Sequence, residues 1–170
     1  MKLHWYSDET QAVDPSGAPT HDDLHAVGVK TDVMPVDPDA YQPPLDALKS
    51  AAGYVEQDIV ELSPDTENLE AICAKFSDEH LHTDDEVRYV LAGEGIFDIR
   101  SADDRWMRVT VEVGDLIVVP ANLHHRFLLT ERKHIRCVRL FKDASGWVPH
   151  YRHQGAQTST SANAASAGDR

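Results

Sequence analysis

Between residues 76 and 141 the apolar side chains recur at every second position, in short runs separated by glycine, proline and acidic clusters. That period puts successive side chains on opposite faces of an extended chain, and it does not fit a helix. The runs cover residues 88–91, 96–100, 107–113, 116–119, 126–129 and 135–141. Ala92-Gly93-Glu94-Gly95 reads as a tight turn that uses glycine's backbone freedom. Ser101-Ala102-Asp103-Asp104 and Gly114-Asp115 mark the next turns, and Pro120 ends the fourth run. At least six short strands at this spacing predict an antiparallel sandwich or barrel.

The first half of the chain is less regular. Residues 1–40 mix turn formers with charges, and Val27, Val29 and Val33 alternate weakly, as in an edge strand. A short helix is expected over 44–53, beginning after a proline pair and stopping at Gly53. A strand over 54–62 and a second helix over 66–75 follow, the latter with Leu69, Ile72 and Cys73 on one stripe. Residues 154–170 offer nothing to bury and read as a disordered tail. The expected organisation is one domain, 1–153, mainly β with a few short flanking α-helices.

Composition narrows the function classes. Asp and Glu number 29 against 16 Lys and Arg, a formal charge of −13 that disfavours nucleic acid and anionic membranes as partners. The amino terminus has no apolar run like a secretory signal, and no segment is long and apolar enough to span a bilayer. Cys73 and Cys137 do not form a CxxC pair and read as buried thiols of a reducing cytoplasm. No strand is apolar enough on a free face to argue for a dimer, so a monomer is expected.

The chemistry concentrates in His80-Leu81-His82-Thr83-Asp84-Asp85-Glu86-Val87-Arg88. His80, His82, Glu86 and Arg88 are all even-numbered, so a strand interrupted by a small loop aims the four at one side. Imidazole and carboxylate together suit a divalent first-row metal. The plain alternative is a solvated acidic loop that contains two histidines, and the spacing alone also leaves open a helix, where His82 and Glu86 would share a face. A further candidate follows in Leu123-His124-His125-Arg126-Phe127, where either histidine could join the set. Alternation puts Phe127 on the face of His125 and turns His124 away from it.

The wider pattern resembles the cupin family: His80-x-His82, a gap of three, Glu86, six residues, Gly93; then Gly114, five residues, Pro120, and His125. Asn122 stands where cupins usually have glycine, a position Asn tolerates because it enters the left-handed region readily. Leu129 replaces the usual closing Asn, and Ala74 a glycine that often precedes the first motif. The resemblance, over about 74–141, implies a jelly-roll barrel and selects His125 over His124. Within cupins the wording of residues 79–89, 93–100, 116–127 and 139–149 is similar to the acireductone dioxygenase family of methionine salvage.

That likeness implies one mononuclear Fe2+ or Ni2+ held by His80, His82, Glu86 and His125. It implies O2 and the acireductone 1,2-dihydroxy-3-keto-5-methylthiopentene as substrates. The implied products are formate and 2-keto-4-methylthiobutanoate with Fe2+, or CO, formate and 3-methylthiopropanoate with Ni2+. Arg88 is placed to anchor the anionic substrate, and Phe127 and Trp147 are candidates to wall its methylthio tail. Other readings are a quercetinase-like dioxygenase, a sugar isomerase, or a non-catalytic cupin that senses a small molecule.

Overall fold

The computed structural model describes residues 1–143 and 148–152. Eleven strands are present among them: β1 (Lys2–Ser7), β2 (Ala12–Val13), β3 (Lys30–Val33), β4 (Glu56–Leu62), β5 (His80–Leu81), β6 (Glu86–Arg100), β7 (Trp106–Glu112), β8 (Asp115–Val119), β9 (His125–Leu129), β10 (Ile135–Phe141) and β11 (His150–Tyr151). Three helices, α1 (His21–Ala26), α2 (Pro38–Ala52) and α3 (Leu69–Ser77), flank them. The chain is therefore mainly β, as expected. Residues 154–170 and Trp147 lie outside the described residues. Among those described, no helix is long and apolar enough to cross a membrane.

Every strand pairing is antiparallel, and the strands form two sheets that share β6. One runs β3-β8-β6-β10-β4 and the other β11-β5-β9-β6-β7-β1-β2. The first half of β6 pairs with β8 and β10; the second half, from Glu94, pairs with β7 and β9. Gly93, with φ +73°, sits at the changeover. A Cβ there would lie 2.1 Å from the His134 carbonyl oxygen, so close approach and the left-handed backbone both demand glycine.

The expected turn at 92–95 is therefore a bend inside one long strand. The β6–β10 register shifts between Arg136 and Cys137, which leaves one extra residue on β6. A bulge of this kind bends a strand without ending it, and it reverses which residues face inward. Val90 faces the barrel core before the bend, whereas Phe97 and Ile99 do so after it.

Two clusters of buried side chains explain why the apolar runs look as they do. The barrel interior holds Val90, Phe97, Ile99, Met107, Val109, Val111, Ile117, Val119 and Ile135. The outer face of the β8-β6-β10 region is covered by Tyr41 and Leu45 of α2 with Tyr54 and Met34, which pack on Val87, Tyr89, Leu116, Val118, Val138 and Leu140. Buried on both faces, β8 reads as a continuous apolar run in place of alternation.

The element boundaries moved where tertiary contacts outweighed local signals. Helix α2 starts six residues before the expected position, capped by Asp37, whose side chain accepts from the Asp39 N–H. It runs through Pro43 and Pro44 because Tyr41 and Leu45 are buried against the sheet. Helix α3 starts after Asn68, which adopts the left-handed conformation. The edge strand near Val33 is Lys30–Val33, paired with β8; Val27 instead caps α1. Helix α1 was not anticipated; its local signal is the capping box of Thr20 with Asp23. Cys137 is buried and Cys73 half-buried, both free; α3 has no fully buried residue.

Replacing Gly93 by Ala should destabilise the protein by about 2 kcal/mol or more, from left-handed strain plus overlap with the His134 carbonyl. Urea unfolding monitored by tryptophan fluorescence checks this.

Candidate metal centre

His80 and His125 face each other across the β5–β9 pair, where they are the register partners. Their ring centroids are 4.7 Å apart, and His82 stands 4.9 Å from the first and 5.4 Å from the second. Glu86, the first residue of β6, completes a group whose ligand atoms all lie within 4.8 Å of one another. All four side chains are buried. The loop between His82 and Glu86 is fastened by Asp85, which accepts from the Tyr54 hydroxyl at 2.5 Å and the Ala121 N–H at 2.9 Å. Asn122, left-handed as anticipated, donates its N–H to the His82 carbonyl at 2.8 Å. These bonds join the two motif loops directly.

The protonation pattern fits a cation. His80 Nδ1–H donates to the Asp78 carbonyl at 2.7 Å, and His125 Nδ1–H donates to the Leu123 carbonyl at 2.8 Å. Since a carbonyl can only accept, each neutral ring keeps its lone pair on Nε2, the usual state of a ligating histidine. His125 Nε2 then lies 3.0 Å from Glu86 Oε2 with no proton of its own to share. Two acceptors at that distance require positive charge between them, from a metal ion or an added proton. His80 Nε2 and His82 Nδ1 are buried with no hydrogen-bond partner among the described residues. Unsatisfied buried nitrogen of this kind is rare without a function.

The electrostatics agree. Burial pushes the His80 ring down to about 4, so it stays neutral at physiological pH. Burial pushes the Glu86 carboxyl up, but the Arg88 guanidinium outweighs it, joined by the His125 and His82 contacts once a proton or cation lies between those rings and the carboxylate. Together these hold Glu86 well below the usual carboxylate range. Arg88 Nη2 is 3.2 Å from Glu86 Oε1, and its Nη1 donates to the Val87 carbonyl. Imidazole nitrogens around one ionised carboxylate make a donor set suited to a divalent first-row ion.

A cavity of about 260 Å³ opens beside Glu86. Arg88 and Phe127 line it, as the strand parity suggested, and Trp147 lies outside the described residues. His124 is not in the cluster; it is half-buried, and burial lowers its proton affinity. The remaining wall was missed by the sequence reading: Val60 and Leu62 of β4, Ile72 and Phe76 of α3, and Ile135, Cys137 and Arg139 of β10. The last three share one strand face, so period two held that much of the signal. Which face met the cavity depended on the barrel's closure.

Barrel and buried histidine–glutamate cluster together define a metal-binding cupin. More narrowly, the chain belongs to the ARD/ARD' family, whose sequence model matches residues 6–149. It is 51% identical over 131 residues to an acireductone dioxygenase of Heterostelium pallidum, covering 77% of this chain and 88% of that one. The acireductone dioxygenase of Dictyostelium discoideum is 39% identical over 155 residues, 90% of this chain and 100% of the relative. Among solved structures, acireductone dioxygenase from Bacillus anthracis with a cadmium ion in its active centre superposes with a TM-score of 0.76 at 27% identity. That match covers 88% of this chain and 96% of the other.

The His80 shift has a sign that can be checked in metal-free protein. Its folded value, about 4, lies below the ordinary 6.5, so between those values the unfolded chain binds a proton that the folded one does not. Stability of the metal-free protein should fall as pH drops from 6.5 to 4. In His80→Asn that slope should be shallower, as thermal melts across the window would show.

Proposed function

We propose that this chain is an acireductone dioxygenase, cleaving 1,2-dihydroxy-3-keto-5-methylthiopentene with O2. The observation that carries the reading is the buried cluster of His80, His82, Glu86 and His125 opening onto the cavity lined by Arg88 and Phe127. Family membership and the names of its relatives support it. The four clustered residues would hold one Fe2+ or Ni2+, which supplies Lewis acidity and charge to an enediolate.

The chain's own residues do the rest. Asp78 and Leu123 carbonyls fix the tautomer and orientation of His80 and His125. Arg88 presents a permanent cation at the cavity wall, where a substrate dianion needs a counter-charge. Its hold on Glu86 also keeps that carboxylate ionised and turned toward the histidines. Phe127, Ile72, Phe76 and Leu62 give the cavity an apolar wall for the methylthio tail. Excluding water there strengthens the Arg88 contact and protects the electron-rich enediolate until O2 arrives.

With Fe2+ held by the four clustered residues the products would be formate and 2-keto-4-methylthiobutanoate, and with Ni2+ they would be CO, formate and 3-methylthiopropanoate. We read residues 1–153 as one functional unit, monomeric and cytoplasmic, with no nucleic-acid or membrane partner.

An aerobic assay following loss of acireductone absorbance after Fe2+ or Ni2+ reconstitution tests the reading. Turnover with CO released only by the Ni2+ form supports it; no turnover with either ion would leave a binding module in its place. His82→Ala or His125→Ala should abolish stoichiometric metal, as measured by elemental analysis. Arg88→Ala should lower kcat/KM by about a hundredfold per bound metal ion.

A further inference from the structure

The strand that carries His80 is held from the outside of the barrel. β5 has two residues and meets β9 through a single register pair, and its other neighbour, β11, is equally short. Ladders this brief do not fix a side chain within the tolerance a metal site needs, about ±0.2 Å. The missing rigidity comes from Glu79, whose side chain is 8% exposed. Glu79 forms a two-pronged pair with Arg100: Nε donates to Oε1 at 2.9 Å and Nη2 to Oε2 at 3.0 Å. Arg152 Nη1 donates to Oε1 at 2.7 Å, and the Arg152 N–H to the Glu79 carbonyl at 3.1 Å.

Arg100 is the last residue of β6, and it reaches both histidine segments. Its backbone N–H donates to the His124 carbonyl at 3.2 Å, one residue before His125. Its side chain grips Glu79, one residue before His80. The guanidinium is itself fixed, lying 3.7 Å from the Trp106 ring and donating Nη1 to the Asp104 carbonyl at 2.9 Å. A planar fork held on several sides loses little freedom in making the pair.

We propose that Glu79 and Arg100 are positioning residues for the metal centre: their ion pair sets the separation of His80 and His125 without touching metal or substrate. The inference rests on the reading of those histidines as ligands. Outer partners that orient ligating histidines typically change metal affinity 10- to 100-fold when removed. An ion pair that served stability alone would leave affinity unchanged.

The experiment uses full-length Ni2+-loaded protein and competition with a coloured chelator. Glu79→Gln removes the charge, and Arg100→Lys keeps the charge but loses the fork. Each should weaken Ni2+ retention about tenfold or more. Val109→Ala, in the barrel core away from the cluster, supplies a destabilised control and should hold Ni2+ as the wild type does. Wild-type affinity in both Glu79→Gln and Arg100→Lys, or equal weakening in Val109→Ala, overturns the clamp. Should one clamp variant not fold, the other decides by the same comparison. A wild-type protein that binds no Ni2+ overturns the ligand assignment itself, an outcome distinct from a loaded wild type with unaffected variants.

Discussion

An ionised carboxylate inside an apolar barrel is the constraint on which the rest of this structure depends. Glu86 is 6% exposed and lies at the start of the longest strand. A buried charge without a partner is strongly unfavourable, so the site must supply positive charge within a few ångströms. Arg88 supplies part of it from one side. On the other side the histidines press their ring nitrogens toward the same oxygens, although at least His80 and His125 have already committed their Nδ1 protons to carbonyls. A donor set so arranged is incomplete as a protein-only structure and complete around a cation.

Much of the centre was legible in the sequence because its information is parity and spacing. The shared face of His80, His82, Glu86 and Arg88 needed only the two-residue period of extended chain. His125, in contrast, was selected over His124 by the likeness to the cupin motif that runs from Gly114 through Pro120. The cavity wall was not legible in the same way. Val60, Phe76 and Cys137 come from β4, α3 and β10, and they meet only after the sheet has curled. The β1–β7 pairing joins residues about a hundred positions apart, such as Trp5 with Met107, and leaves no local mark. Helix α2 overran its proline boundary because burial of Tyr41 and Leu45 outweighed a local preference.

The turn expected at Gly93 went wrong for an instructive reason. Its glycine signal was real, but a left-handed residue can bend a strand as readily as end it. Here the bend carries an extra residue, and the extra residue reverses parity. Before it, Glu86, Arg88 and Val90 face the barrel interior; after it, Phe97 and Ile99 do. Unbroken alternation from Glu86 to Arg100 would have pointed Asp98 and Arg100 into the apolar core.

With parity reversed, those charges reach the opposite face of the sheet and find partners there. Asp98 is fully buried yet held by Arg108, at 2.7 Å to each oxygen, and by Arg126 at 2.8 Å. Arg126 is the residue after His125, and it continues to Asp8, which also accepts from the Trp106 indole. Arg100 reaches Glu79, the residue before His80. The clustered histidines are thus bracketed in sequence by Glu79 and Arg126, whose side chains lie in ion pairs on the other side of the sheet. One face presents ring nitrogens to the cluster, and the other locks the backbone that carries them. The extra residue at the bend in β6 creates that division, because it lets one strand begin with Glu86 on the inside and end with Arg100 on the outside.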